Sequence, residues 1–321
     1  MKKIAVVTTG GDAPGMNPAI RSVVRTALYK NISISGIRRG FLGLYEGDFI
    51  PLSSRDVGNI INRGGTILKT ARFPEFKDHN IRKKCLEKLK KEKIDGIVII
   101  GGDGSANAAY SIYNEFSYPV VHIPASIDND LYGTDWTIGF DTAVNTAVEA
   151  IDKIRDTATS HERTFIVEVM GREKGNLAVE VAVACGAENV IIPEIEFNLD
   201  QLVSSLKQQQ EKGKNSALII LAEGAGKAEE LAKQLTEKLP DREIRYSVLG
   251  YIQRGGSPTY LTRTLATVFG WYAVKFLIDG DYGYMVGIVG NKIEKVPLEK
   301  VVSNRKLPDM EKLETIKYMA I

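Results

Sequence analysis

Apolar residues in this chain fall into short unbroken blocks, each followed by a glycine-rich turn and then by a segment with a period near 3.6. The first block, Ile4-Ala5-Val6-Val7-Thr8, is continuous and largely β-branched, as in a strand covered on both faces. Gly10-Gly11-Asp12-Ala13-Pro14-Gly15 follows, and Ala19 to Tyr29 has helical spacing, with Asn17 and Pro18 placed as N-cap and first-turn residues. The same order of strand, Gly-Gly-Asp and helix recurs at Asp95 to Ile100 and Gly101-Gly102-Asp103-Gly104-Ser105. A third block, Val120 to Ile123, stops at Pro124 and runs into Ala125-Ser126-Ile127-Asp128-Asn129-Asp130.

The spacing predicts further strands at Ile32 to Ile37, Phe165 to Met170, Val190 to Pro193, Ala217 to Ala222, Tyr246 to Leu249 and Val286 to Val289. Helices are expected at Arg55 to Asn62, Asp141 to Thr159, Asn176 to Cys185, Leu199 to Glu211, Glu229 to Leu239 and Tyr260 to Ile278. Gly40 to Pro51 reads as a turn-rich connection, and the basic run Arg82 to Lys93 as the solvated face of a helix with Ile81, Cys85, Leu86 and Leu89 inward. Strands alternating with helices point to an α/β fold with doubly wound parallel sheets. The chain is 321 residues long, which favours two domains, with the crossing near Asp141 to Thr159.

Composition narrows the function classes. A net charge of +2 gives no overall field for nucleic acid or membrane, so any anion site is local. The two cysteines, Cys85 and Cys185, have no disulfide or zinc spacing, and the apolar run after Met1-Lys2-Lys3 is too short for a signal h-region. A cytoplasmic protein with no nucleic-acid or membrane partner is the expectation.

Parallel strands direct their C-terminal ends to one side of a sheet, where open α/β proteins hold ligands. Alone, Asp128-Asn129-Asp130 reads as a solvated Asx turn. Beside two Gly-Gly-Asp turns aimed at the same edge it reads as a site, with phosphate against the glycine amides and Mg²⁺ on Asp103. The long polar loop Arg63 to Phe76 with its isolated arginines is functional in this reading. Arg163, Arg172 and Arg245 at strand ends are taken together as a site for a dianionic phosphate, although each singly reads as a surface ion pair.

The motifs G-G-D-A-P-G-M-N at Gly10, A-R-F-P-E-F at Ala71, G-G-D-G-S at Gly101, I-D-N-D at Ile127, V-M-G-R at Val169, A-E-G at Ala222 and Q-R-G-G-S-P at Gln253 stand in a specific order. With D-K-I-R-D-T-A-T-S-H-E-R at Asp152, they make the chain resemble the bacterial ATP-dependent 6-phosphofructokinase family over nearly its whole length. The resemblance implies two Rossmann-like three-layer α/β/α domains with mainly parallel sheets and the active site in the cleft between them. It divides the chain into a larger ATP-binding domain, 1–138 plus 252–304, and a smaller sugar-phosphate domain, 139–251 plus 305–321. It also implies a homotetramer with shared sites.

By the same resemblance Asp128 is the general base, Asp103 and Asp130 serve Mg²⁺, and Gly11, Arg72, Phe73, Gly102, Asp103, Gly104 and Ser105 bind ATP, with Arg72 also meeting transition-state charge. Ser126, Asp128, Met170, Gly171, Arg172, Glu223, Tyr251 and Arg254 would hold fructose 6-phosphate, and Arg163 and Arg245 would reach it from a neighbouring subunit. Ser126 also counts among the catalytic residues. Gly104, with the small Ala125 where pyrophosphate users carry Lys, implies ATP as donor. An ADP or phosphoenolpyruvate effector site is implied at Arg21, Arg25, Arg155, Gly186, Glu188, Lys212 and Lys214, with departures at Ser54, Asn59 and Asn215. Ser126 stands for the usual Thr and Lys69 for a small residue; Tyr251 replaces a His and cannot become cationic.

Overall fold

The computed structural model describes residues 1–319. Its strands are β1 (Lys3–Thr8), β2 (Ser33–Ile37), β3 (Phe49–Pro51), β4 (Gly96–Gly101), β5 (Val120–Ser126), β6 (Ile138–Gly139), β7 (Thr164–Val169), β8 (Asn189–Ile191), β9 (Ala217–Ala222), β10 (Ile244–Val248), β11 (Tyr284–Val289) and β12 (Lys292–Pro297). The helices are α1 (Met16–Tyr29), α2 (Gly40–Glu46), α3 (His79–Lys91), α4 (Asp103–Phe116), α5 (Phe140–Ser160), α6 (Asn176–Cys185), α7 (Leu199–Glu211), α8 (Ala228–Lys238), α9 (Tyr260–Asp279), α10 (Leu298–Ser303) and α11 (Met310–Met319). Two compact units result: Met1–Thr142 with Arg254–Lys306, and Ala143–Gln253 with the segment from Leu307.

The first unit holds a sheet in the order β12-β11-β5-β4-β1-β2-β3, with β6 paired to β5. All its pairings are parallel except β11 with β12 and β2 with β3. Side chains alternate between the faces of a strand. Ala5, Val7, Ile97, Ile99 and Val120 therefore share one face, where they join Leu44, Leu86, Leu89, Ala106, Ala109 and Val301 from the helices in one core cluster. Helices α1 and α9 lie on the other face, packed on each other and on β1, β4 and β5. The second unit has the all-parallel order β10-β7-β9-β8. Ile166, Ile219 and Leu221 meet Leu202 and Leu206 of α7 and Leu231 and Leu235 of α8 on one face.

Several expectations are corrected. Helix α1 starts at Met16 behind a left-handed Gly15 (φ 102°), so Asn17 does not cap it. The Asn17 side chain instead donates to the Arg63 and Gly64 carbonyls (3.1 and 3.0 Å) and accepts from the Ile67 N–H (2.8 Å), pinning the long loop. Arg55 to Asn62 is a run of turns, because Asn59 adopts φ 54°, which a helix cannot continue. The supposed connection after Gly40 contains α2, where a Cβ on Gly43 would stand 1.6 Å from the Arg38 carbonyl oxygen. Close backbone approach there overrides glycine's poor helix propensity. Arg82 is buried, not solvated: it chelates Glu115 and donates to the Phe76 and Lys77 carbonyls. Beyond the last expected strand, the chain goes on to form β12, α10 and α11.

His122 on β5 is fully buried, and neither ring nitrogen has a hydrogen-bond partner of good geometry. Burial pushes its pKa down to about 3, with the Gly101 backbone opposing the shift to a lesser extent. The native state thus refuses a proton that the unfolded chain accepts near pH 6.5. Its contribution is intact above that pH and is lost as pH falls from 6.5 toward 3. Stability should drop by roughly 2–3 kcal/mol between pH 6.5 and 4.5 from this residue. Urea titrations of wild type and His122→Val across that range check it; an equally steep acid loss in the variant would place the cause elsewhere.

Candidate active site

Strands β5, β4 and β1 are adjacent and parallel, in registers that set Gly101 beside Pro124 and Thr8 beside Ile100. The turns that follow them therefore emerge side by side. At the end of β4 the chain presses on β1: Thr9 N–H donates to Ile100 O (2.9 Å), and the Thr9 hydroxyl donates to Ser105 Oγ, which reaches back to the Thr9 carbonyl (3.3 Å). A Cβ on Gly101 would stand 2.2 Å from Ser105 Oγ and 2.6 Å from the Thr9 carbonyl oxygen, so glycine is required. On the other side a Cβ on Gly102 would lie 3.4 Å from Ser126 Cβ. Beyond a Cβ on Gly104 there is open space within 4 Å. Asp103 is exposed at the start of α4, with Asn107 donating to its side chain (3.2 Å). A helix N-terminus with glycine amides and space before it suits an anion.

The β5 turn is rigid. Asn129 sits at φ 49°, accepts the Thr137 N–H (3.0 Å) and donates to the Asp135 carbonyl (3.0 Å), while Thr137 Oγ1 donates to the Ser126 carbonyl (2.6 Å). The Asp128 N–H is held by Ser126 Oγ (3.1 Å). These bonds fix the chain from Ser126 to Asp130 and leave Asp128 buried, at 4% exposure, with Asp130 half-buried. A carboxylate held in such a turn at a strand end can be presented to a bound hydroxyl as a proton acceptor. Gly11 also meets the turn chemistry: its Cβ would be 2.5 Å from Arg254 Nη1, so the guanidinium lies against that backbone. Among the described residues no group of three or more His, Cys, Asp or Glu side chains could enclose a metal ion. Two acids at neighbouring strand ends, Asp103 and Asp130, suit a cation that draws its other ligands from phosphate and water, as Mg²⁺ does.

Beside Asp103 and Gly104 opens a cavity of about 530 Å³, lined by Phe41, Phe73, Pro74, Phe76, Lys77, Arg82, Asn107, Ala108 and Ser111. Its volume and aromatic walls suit a nucleoside. The loop feeding it is anchored to β1: Thr8 Oγ1 donates to the Lys69 carbonyl (3.0 Å) and Thr70 Oγ1 to the Gly10 carbonyl (2.8 Å). Phe41 stacks on Phe76 at 3.9 Å, and Arg72 is exposed between Thr70 and Phe73. The sequence marked only Phe73 of this wall. Phe41 lies on an unexpected helix, and Phe76 signalled itself only as the last residue of A-R-F-P-E-F.

In the second unit the turn after β7 is clamped by side chains. Glu223 Oε1 accepts the N–H groups of Gly171 (3.1 Å) and Arg172 (2.8 Å), and Gln253 Oε1 accepts that of Met170 (2.9 Å). Arg172 and Tyr251 are exposed. Arg163 and Arg245 do not join Arg172. Both pair with Glu243 at the N-terminal edge of the sheet (2.9 and 2.6 Å), whereas Gly171 and Glu223 are at the C-terminal edge. A six-residue strand separates the two edges by roughly 20 Å. The expectation of three arginines gathered in one chain is thus corrected. Of the residues expected at an effector site, Arg155 donates to the Cys185 and Gly186 carbonyls, and Lys214 pairs with Glu188 (2.9 Å). Lys212 is exposed, and Arg21 and Arg25 lie one turn apart on α1, where burial and then Arg25 lower the Arg21 pKa.

A family model described as phosphofructokinase matches residues 3–277. The chain is 50% identical over 314 residues to the ATP-dependent 6-phosphofructokinase of a Sulfurihydrogenibium species, covering 97% of each, and 47% identical to that of Bacillus cytotoxicus over the whole of both. Pichia pastoris phosphofructokinase superposes with a TM-score of 0.88 at 34% identity, covering 99% of this chain; this chain spans 37% of that one. A pyrophosphate-dependent phosphofructokinase from Marinobacter aquaeolei shares the fold, with a TM-score of 0.84 at 21% identity.

Asn129→Ala removes the side-chain bonds from Asn129 to Thr137 and Asp135 and leaves an alanine, without a compensating amide, at positive φ. Denaturant unfolding should show a loss of about 2–3 kcal/mol, against less than 1 kcal/mol for a neutral surface change.

Proposed function

Because the chain belongs to the phosphofructokinase family, we propose that it transfers the terminal phosphoryl group of ATP to the 1-hydroxyl of fructose 6-phosphate, giving fructose 1,6-bisphosphate and ADP. The observation that carries this reading is the occurrence together, in the first unit, of three acid-bearing strand ends, two of them glycine-rich, and the aromatic cavity beside Asp103. That cavity also favours ATP over pyrophosphate, which has no nucleoside to fill it. Gly104, open on its Cβ side, leaves room for the phosphates, and Ala125 places no cation there.

Asp128 accepts the proton of the 1-hydroxyl as that oxygen attacks the terminal phosphorus. The new O–P bond forms while the bond to the bridging oxygen breaks and ADP leaves. Gly11, Arg72, Phe73 and the amides of Gly102 to Ser105 hold the nucleotide, and Arg72 meets the charge spread over the transferring group. Ser126 fixes the Asp128 backbone from below. Mg²⁺, when bound by Asp103 and Asp130, supplies charge neutralisation to the phosphates. Met170, Gly171, Arg172, Glu223 and Tyr251, all of the second unit, hold the sugar phosphate, and Arg254 is a further ligand of it in this reading.

Arg163 and Arg245 serve the 6-phosphate of another copy in a homotetramer; their position at the far edge of β7 and β10 supports that reading. Arg21, Arg25, Arg155, Gly186, Glu188, Lys212 and Lys214 form an effector site for ADP or phosphoenolpyruvate in this reading, and Ser54, Asn59 and Asn215 either retune it or abolish it. A cytoplasmic location goes with this role. Among the described residues no helix is long and apolar enough to cross a membrane.

Two outcomes test the proposal. Asp128→Ala should lower kcat by about 10³-fold or more with KM for both substrates nearly unchanged, because only proton transfer is removed. Turnover like that of wild type would remove Asp128 from the base role. Mixing Asp128→Ala and Arg163→Ala chains, each feeble alone, should regenerate activity, since hybrids then contain sites with neither lesion. Absence of any recovery after confirmed mixing would show that Arg163 acts within its own chain or not at all.

A further inference from the structure

Gln253 is fully buried, on the single-turn 3₁₀ segment Gly250–Arg254 that follows β10. Its orientation is set by one bond: Oε1 accepts the Met170 N–H at 2.9 Å, so the amide cannot be flipped without facing one donor with another. Its Nε2 is left buried with no partner. A buried, unsatisfied amide donor pair is costly and rare. An acceptor oxygen brought by a ligand or by ordered water would remove that cost.

The bond to Met170 has a further consequence. Met170, Gly171 and Arg172 are consecutive, and all three N–H groups are taken by side chains, the first by Gln253 and the other two by Glu223. Gly171 is at φ 138° and Arg172 at φ 54°, so the turn depends on those anchors to stay in the left-handed region. The Gly171 and Arg172 N–H groups are therefore not free to bind phosphate; their role is to be held.

We propose that Gln253 is a positioning residue for the sugar-phosphate turn: Oε1 sets the Met170 backbone, and the buried N–H pair donates to an oxygen that arrives with the sugar phosphate. The inference rests on the activity proposed above. Glu223 clamps the next two residues, so removing the Gln253 anchor alone displaces the turn without dissolving it.

Steady-state kinetics with ATP and fructose 6-phosphate test it, beside thermal melts of each variant. Gln253→Met keeps the volume and removes both hydrogen-bonding functions; KM for fructose 6-phosphate should rise about tenfold or more, the loss of one to two hydrogen bonds, with KM for ATP within twofold of wild type. Gln253→Glu keeps the acceptor and regains a donor only when protonated. Its KM for fructose 6-phosphate should therefore fall back toward wild type as pH is lowered through the variant's carboxyl pKa, with no such change in wild type. A Gln253→Met enzyme with both KM values unchanged, or with both raised together alongside a lowered melting temperature, would overturn the proposal, as would a flat pH profile for Gln253→Glu. If wild type itself turns over neither substrate, the fault lies in the proposed activity and not in Gln253.

Discussion

The close approach of two backbones, where β4 ends against β1, is the constraint on which the first unit's site depends. No side chain fits on Gly101 between Ser105 Oγ and the Thr9 carbonyl. The Thr9–Ser105 hydroxyl pair locks that approach from the side-chain direction. Helix α4 can therefore begin at Asp103, two residues beyond the strand's last one, with its first N–H groups directed over the sheet edge. The neighbouring turn inherits its place from this, since Gly102 abuts Ser126 and the β5 turn is closed by Thr137 and Asn129. Removing any of these small contacts moves a backbone and not just a side chain.

The second unit solves the same problem by other means. At the end of β7 the turn is held by acceptors from two other segments, Glu223 after β9 and Gln253 after β10. Hydrogen bonds to backbone N–H groups replace steric fit as the organising force. The Gly171 turn depends for its shape on Gln253 and Glu223, whereas the Gly101 turn depends on backbone fit.

The sequence announced the fold well because buried parallel strands read as continuous apolar runs, and β1, β4 and β5 are almost uninterrupted. It announced the acidic turns for the same reason, since glycine and aspartate directly after such a run have few structural excuses. It failed where tertiary contact overrules local preference. Helix α2 contains Gly43, which the Arg38 carbonyl explains, and Asn17 is drawn from a capping role by a loop some fifty residues away. Arg82 looked solvated because its partner Glu115 lies on α4, beyond the reach of helical periodicity. Gln253 stood out only as the first residue of Q-R-G-G-S-P; its burial and its bond to Met170 arise from tertiary contact that no local pattern shows.

The arginines at the far edge of the second sheet carry the last step. Arg163 and Arg245 share Glu243, and Arg163 first, then Arg245, hold that carboxyl below its usual pKa. One carboxylate between two guanidiniums leaves an excess positive charge on a partly exposed surface. A phosphate dianion is attracted to that excess, yet the chain's own Gly171 turn lies at the opposite end of β7, well beyond the length of an arginine side chain. Strand geometry thus forbids these residues from completing the site of their own chain, whatever their chemistry. If they bind a sugar phosphate, the turn that holds the rest of it must belong to another copy, and Glu243 then acts as the placeholder that keeps both guanidiniums extended until that copy is present.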